Sequence, residues 1–288
     1  MRNVTPETLT GLLLGLSSPD TDPRLQEVLT SLVTHLHAFT KEVGLTHAEW
    51  RMGLDLLTRA GEITDNERNE FVLFSDVLGL SSLVDMINSP EQCTSSSVLG
   101  PFHILGAPDL PVGGDMIGQN EGPQVVVEGR VLDQSGAPIG GAKIELWQTA
   151  DNGLYSNQDS AQGDYNLRVS MQTGADGRYA LSTIRPAPYM VPTDGPTGDL
   201  LNATGRHAWR PSHLHFIVHA EGYRNLVTEV FPSDDPYLDA DAVFGVRSDL
   251  VMEYMPGDRA SLADDFAAKQ TLADSFSKVE FDFVLPPE

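Results

Sequence analysis

Between residues 25 and 39 the apolar positions are Leu25, Val28, Leu29, Leu32, Val33, Leu36 and Phe39, a spacing of three and four that places them on one helical face. Asp22 supplies an N-cap, Pro23 a first-turn residue with its angle already set, and Gly44 a stop. Two further helix starts carry a threonine with glutamate three residues on, Thr46 with Glu49 and Thr64 with Glu67, each ahead of an apolar periodic stretch. The pattern predicts three or four helices up to about Ser89. After Pro90 the texture changes to short runs rich in β-formers, broken by Gly, Pro, Asp and Asn. Strands are predicted at 125–132, 142–148, 167–172, 178–184, 213–219, 225–231 and 278–285, with turns such as Asp133-Gln-Ser-Gly136 between them. The expected fold is α+β: a helical amino-terminal region, residues 1–100, followed by an antiparallel β-sandwich, residues 101–288.

Charge narrows the partners. Eighteen basic against 41 acidic residues give a net charge of −23, which repels nucleic-acid phosphates and anionic lipid surfaces. Cys93 is the single cysteine and cannot form an internal disulfide, and the opening Met-Arg-Asn-Val-Thr-Pro-Glu lacks the apolar stretch of a secretory signal. A cytoplasmic location is expected. The early apolar cluster from Leu12 to Leu16 is interrupted by Gly15 and is too short to span a bilayer.

The most pointed local chemistry is Arg210-Pro-Ser-His-Leu-His-Phe216. His213 and His215 stand two apart in a strand pattern, so both imidazoles share one face, as a metal pair requires. Two ordinary strand histidines would look the same. No HExxH helix or cysteine cluster offers a zinc site, and hard ferric iron would favour anionic oxygen donors beside imidazole. Two tyrosines occupy unusual loops, Tyr155 in 147–155 and Tyr189 in Ile184-Arg-Pro-Ala-Pro-Tyr-Met-Val-Pro192, although a tyrosine is by default a half-buried packing residue.

Three segments give the chain a resemblance to the intradiol ring-cleavage dioxygenases: Leu146-Trp-Gln-Thr-Ala-Asp-Asn-Gly-Leu-Tyr155, Asp194-Gly-Pro-Thr-Gly-Asp-Leu-Leu201 and Gly205-Arg-His-Ala-Trp-Arg-Pro-Ser-His-Leu-His-Phe216. The resemblance runs from about Leu73 to Val251. It implies one Fe(III) per subunit held by Tyr155, Tyr189, His213 and His215, with Tyr189 leaving the metal as it takes a substrate proton. It also implies a homodimer through the helical region, with a phospholipid between the helices. Arg210 is expected to stabilise developing negative charge, a surface salt bridge being the plainer alternative. His207, in Gly-Arg-His, is expected to be a structural or supporting residue and not a ligand, His219 falls on the same strand face further along, and Tyr165, Tyr179 and Tyr237 lack the motif context and are expected to pack.

Within the family the likeness is greatest to members acting on hydroxyquinol, through 71–79, Ser97-Val-Leu-Gly-Pro-Phe-His103 and Asp241-Ala-Val-Phe-Gly-Val246. Members acting on catechol or chlorocatechol, and a non-catalytic sandwich module, remain as alternatives. The resemblance makes Leu73, Asp76, Val98, Leu99, Gly100, Pro101, Phe102, Val191, Pro192 and Val243 the substrate-contact candidates. Only Asp76 is out of place as core, and it could accept a hydrogen bond from an extra ring hydroxyl. The chain departs from the family pattern at Ser212, where alanine is usual, and in Ser233-Asp-Asp-Pro-Tyr237, which lacks the customary Gly-Asp. It departs again at Glu229, where relatives commonly carry a neutral hydrogen-bonding residue; a carboxylate facing a dianionic substrate is unfavourable unless protonated or turned away.

Overall fold

The computed structural model describes residues 3–65, 68–264 and 266–288. It divides into two compact units, Met1–Thr58 and Arg59–Glu288.

The first unit holds α1 (Leu9–Leu14), α2 (Pro23–Glu42) and most of α3 (His47–Glu62). The Asp22 carboxylate accepts from the Leu25 N–H at 2.9 Å, Pro23 opens α2, and the chain leaves through Gly44 at φ +60°. Thr46 and Glu49 cap α3 reciprocally: the Thr46 N–H donates to the Glu49 carboxylate at 2.8 Å, and the Glu49 N–H donates to the Thr46 hydroxyl at 3.3 Å. None of the α2 side chains is buried.

The third expected helix start is different. Glu67 lies outside the described residues, and the Thr64 hydroxyl donates back to the Ala60 carbonyl at 2.7 Å while accepting from the Glu70 N–H at 3.1 Å. The next helix, α4 (Glu70–Val77), begins instead at Asn69, whose side chain accepts from the Val72 N–H. A left-handed Gly79 then turns the chain into α5 (Leu80–Asn88). Among the described residues five helices thus precede Ser89 where the pattern predicted three or four. One more helix, α6 (Pro196–Ala203), was not anticipated, because Pro-Thr-Gly reads as loop; proline in the first turn is in fact where a helix tolerates it.

The strands are β1 (Gly114–Asp115), β2 (Gln124–Asp133), β3 (Lys143–Trp147), β4 (Arg168–Gln172), β5 (Arg178–Ile184), β6 (Tyr189–Met190), β7 (Trp209–Arg210), β8 (Leu214–His219), β9 (Leu226–Pro232), β10 (Val251–Met252), β11 (Met255–Pro256), β12 (Ser277–Glu280) and β13 (Phe283–Leu285). One sheet runs β1-β5-β2-β12-β11 with β13 also on β2, another runs β10-β9-β8-β3-β4, and β6 pairs with β7.

The expected α+β fold, helices followed by a β domain, is present, with the one difference that both large sheets are mixed and not purely antiparallel. β12 and β13 run parallel to β2, β1 runs parallel to β5, and β10 runs parallel to β9. The segment expected as one strand at 278–285 is two, both along β2, and most of the domain separates them from it, which satisfies the long connection that parallel pairing needs. Where they break, a Cβ on Gly129 would stand 1.8 Å from the Phe281 carbonyl oxygen, so only glycine fits there.

One hydrophobic core joins the large sheets through Val125, Val127, Ile144, Leu181, Phe216, Val230 and Phe283 among others. A second cluster lies apart from it and gathers Leu73, Val77, Val98, Phe102, Trp147, Tyr155, Tyr189, Val191, Leu201, Ala208 and Val243. That second cluster surrounds the functional site.

Candidate metal centre

Sheet register brings distant residues side by side. Trp147 of β3 stands opposite Arg168 of β4 and His215 of β8, and His215 stands opposite Glu229 of β9. Tyr189 of β6 pairs with Arg210 of β7. Trp147 lies flat on the His215 ring, centroids 4.7 Å apart and planes 7° apart.

Three donor atoms converge. The Tyr155 hydroxyl is 3.2 Å from His213 Nε2 and 3.1 Å from His215 Nε2, and the two Nε2 atoms are 3.0 Å apart. Separations of this size are those of atoms sharing one cation at bonds of about 2 Å. The Tyr189 ring lies edge-on to Tyr155, centroids 5.5 Å apart, and its hydroxyl interacts with those of Tyr155 and the Arg210 guanidinium. His213 Nδ1 is 2.7 Å from the Pro211 carbonyl, so Nδ1 carries the hydrogen and Nε2 keeps its lone pair for the centre.

Burial sets the protonation of these groups. It pushes the Tyr155 hydroxyl well above its ordinary pKa, with Tyr189 adding to the effect, and raises Tyr189 against the opposing pull of Arg210. It also lowers His213, helped by Arg210, and lowers His215 strongly, helped by His213. Two phenols and two neutral imidazoles thus share a buried spot. A cation that replaces the phenolic protons suits this donor set, and hard ferric iron matches its oxygen and imidazole chemistry.

Glu229 forms with His213 and His215 the group of metal-capable acid and imidazole side chains found among the described residues. Its Oε1 lies 3.4 Å from His213 Nε2 and 3.4 Å from His215 Nδ1. Both of its oxygens are already engaged, however. Arg210 donates to them at 2.7 and 2.9 Å, and the Ser97 hydroxyl donates to Oε2 at 2.6 Å. Burial works to raise this carboxyl, but the Arg210 guanidinium, with the Ser97 hydrogen bond adding to it, outweighs burial and holds it below the usual carboxylate range. An ionised Glu229 is therefore clamped by a guanidinium, which answers the question its sequence position raised.

Arg210 grips a second carboxylate: Nε donates to Asp241 Oδ1 at 3.0 Å and Nη2 to Oδ2 at 3.2 Å. All three side chains are buried, so Arg210 is not a surface salt bridge. Asp241 also receives the Val243 and Gly245 N–H groups. A Cβ on Gly245 would come 2.6 Å from the Arg210 guanidinium and 2.7 Å from Glu229, so glycine is what lets this loop close over the cluster.

Of the substrate-contact candidates, Leu73, Val98, Phe102, Val191 and Val243 are buried in the same cluster as Tyr155 and Tyr189. Phe102 stacks on Tyr155 at 4.8 Å, and a Cβ on Gly100 would touch the His215 ring at 3.4 Å. Pro101 and Pro192 are half-buried, while Leu99 is 42% exposed. Asp76 is buried on α4, and burial pushes its carboxyl up to about 6 against Ser81 and Arg210. The other tyrosines and histidines have separate roles. Tyr179 donates to the Phe281 carbonyl in the main core, Tyr165 donates to the Leu105 carbonyl, Tyr237 stacks on Trp209, His219 pairs with Asn225, and His207 accepts from the Trp209 N–H.

Sequence reasoning passed over Ser97, Asp241 and Arg168 as members of the site. Ser97 and Asp241 lay inside segments singled out for other reasons, and a serine or aspartate near a glycine signals only a turn. Arg168 sits in a run that reads simply as strand.

Two family models match the chain, one described as Dioxygenase over residues 102–287 and one as Catechol dioxygenase N terminus over residues 22–95. A hydroxyquinol 1,2-dioxygenase of a Rhizobium species is 43% identical over 92% of this chain and 90% of that protein. A 6-chlorohydroxyquinol 1,2-dioxygenase of Cupriavidus pinatubonensis is 43% identical over 100% of this chain and 99% of its own. Among solved structures, hydroxyquinol 1,2-dioxygenase from Pseudomonas putida superposes with a TM-score of 0.88 at 43% identity, covering 98% of this chain and 99% of that one. With likeness along the whole chain and a phenol and imidazole cluster at its centre, this protein belongs to the intradiol ring-cleavage dioxygenases.

Proposed function

We propose that this chain is a ferric-iron dioxygenase that opens hydroxyquinol (benzene-1,2,4-triol) between its adjacent hydroxyls, using dioxygen and giving 3-hydroxy-cis,cis-muconate or its tautomer maleylacetate. The observation that carries the reading is the convergence of Tyr155, His213 and His215 at 3.0–3.2 Å beside Tyr189, in a chain 43% identical to hydroxyquinol dioxygenases over nearly its full length.

Tyr155, Tyr189, His213 and His215 would hold the iron, one per subunit. Bound there, ferric iron supplies Lewis acidity that favours the diol as its dianion and activates the ring toward dioxygen. Tyr189, whose hydroxyl burial has made a weak acid, is as a phenolate a strong base and takes a substrate proton at its oxygen. Arg210, fixed by Glu229 and Asp241, presents its remaining donor capacity to charge that develops during cleavage. Leu73, Val98, Phe102, Val191 and Val243 form a dry wall for the ring, and Asp76 offers an acceptor to the third hydroxyl.

The purified protein is expected to carry about one iron per chain, to be visibly coloured by phenolate-to-iron charge transfer, and to consume dioxygen with hydroxyquinol. Tyr155→Phe and His213→Ala are expected to remove both colour and turnover. Colourless native protein holding stoichiometric zinc would defeat the reading and favour a sandwich binding module.

The reading includes a homodimer through the helical region, with a phospholipid between the helices. Leu25, Val28, Leu29, Leu32, Leu36 and Phe39 on α2 are each 44–57% exposed in the single chain, an apolar face that a second copy would cover. Light scattering is expected to give twice the chain mass; a monomer would remove this part. We place the enzyme in the cytoplasm, where the unpaired Cys93 stays reduced. No helix among the described residues is long and apolar enough to cross a membrane.

A further inference from the structure

Two arginines are fully buried near the centre, and they are treated differently by the fold. Arg210 meets two carboxylates. Arg168, 2% exposed, meets none: its Nε donates to the Ser156 hydroxyl at 2.8 Å and its Nη2 to the Asn157 side-chain oxygen at 3.0 Å, both neutral acceptors. Its Nη1 is buried with no hydrogen-bond partner, and among the described residues no ion pair reaches it. Burying a cation without a counter-charge is costly, so a fold that keeps one there is balanced by an anion that appears when the site is complete.

The position of Arg168 identifies that anion. Its guanidinium carbon stands over the Tyr155 ring, 5.7 Å from the centroid, and its two hydrogen-bond acceptors are the residues that immediately follow Tyr155. Phe102 stacks on the same ring, and Trp147, opposite Arg168 in the sheet, stacks on His215. Among the described residues the one other potentially anionic side chain that acts on Arg168 is Tyr165, whose hydroxyl donates to the Leu105 carbonyl.

We infer that Arg168 is a positioning residue for Tyr155: it fixes the loop that presents the tyrosine and supplies the counter-charge to its phenolate once a metal is bound. The inference rests on the proposal that Tyr155 is a metal ligand. A cation beside a phenolate stabilises the electrons that the phenolate lends to the metal. Arg168 therefore places the charge-transfer absorption at higher energy and makes the phenolate easier to keep, so the metal is retained more firmly.

The test uses iron-loaded full-length protein and two variants, Arg168→Met and Arg168→Lys. In the methionine variant the visible band is expected to move to longer wavelength, and the chelator concentration that strips half the iron is expected to fall roughly tenfold or more. The lysine variant keeps the charge but loses the fork, and is expected to restore the wild-type band position and most of the iron retention. A methionine variant with unchanged band and unchanged retention overturns the inference. A lysine variant that behaves like methionine overturns the counter-charge role and leaves Arg168 a loop tie alone; this arm also decides the matter if the methionine variant does not fold. Failure of the underlying proposal looks different, because the wild type itself would then lack the band or Tyr155→Phe would leave its position and intensity unchanged.

Discussion

Arg210→Ala is expected to lower turnover by roughly two to three orders of magnitude, the usual consequence of removing a preorganised donor aimed at developing negative charge. A second effect follows from the company Arg210 keeps. Glu229 and Asp241 would be left buried without their guanidinium, and removing one partner of a buried ionic group typically costs about 3–5 kcal/mol of stability. The variant should therefore melt well below the wild type while its folded fraction keeps iron and colour. Adding Glu229→Gln removes one stranded charge. The double variant should recover part of the lost stability and none of the lost turnover. Undiminished turnover in Arg210→Ala would reduce the arginine to a structural tie.

The wild type is expected to prefer hydroxyquinol over catechol, in kcat/KM, by roughly a thousandfold or more, and Asp76→Ala to bring that ratio down toward about a hundredfold or less. A site built around a hydrogen bond rejects the analogue that lacks it far more strongly than an apolar contact does. Asp76 is buried on α4 with Leu73 and Val77, and unlike the other buried acid of that helix, Glu70, which Arg68 pairs, it has no salt-bridge partner among the described residues. It also leaves a trace in stability. Its folded pKa of about 6 exceeds the ordinary 3.8, so between those values the folded state holds a proton that the unfolded chain has released. Stability linked to Asp76 is full below about pH 4, falls as pH rises through about 6, and stands lower by something of order 3 kcal/mol at neutrality. Asp76→Asn should accordingly raise the melting temperature by several degrees at about pH 7.5 and leave it unchanged near pH 4. Equal efficiency on catechol by the wild type would remove hydroxyquinol specificity but not ring cleavage. A ratio unmoved by Asp76→Ala would shift selectivity to the rest of the pocket.

Local rules carried much of the fold. The strand expected at 178–184 appears with those bounds, and the Asp22 cap and the Thr46–Glu49 box form as their spacing demanded. These features depend on neighbours a few residues apart. The two-residue spacing of His213 and His215 likewise placed both rings on one side of β8. What escaped notice depends on distant partners. Parallel pairing of β12 and β13 with β2 cannot be read from alternation, since a strand's pattern looks the same in either orientation. Glu229 looked misplaced because its partners, Ser97 and Arg210, come from two other segments. The helix starts at Asn69 and not at Thr64, whose hydroxyl ties the preceding helix to it by donating to Ala60 and accepting from Glu70.

The row Arg168, Trp147, His215 and Glu229 crosses four adjacent strands, and Tyr155 enters from the loop beyond one of them. The β8–β9 hairpin carries His213, His215 and Glu229, with Arg210 just ahead of it, but Tyr155 and Tyr189 come from other segments, so no single hairpin carries the whole donor set. Hairpins must zip and β8 must find its place between β3 and β9 before three donor atoms stand within reach of a common point. A metal held at this point would add its binding free energy to the native state alone, because only the folded sheets bring the donors together.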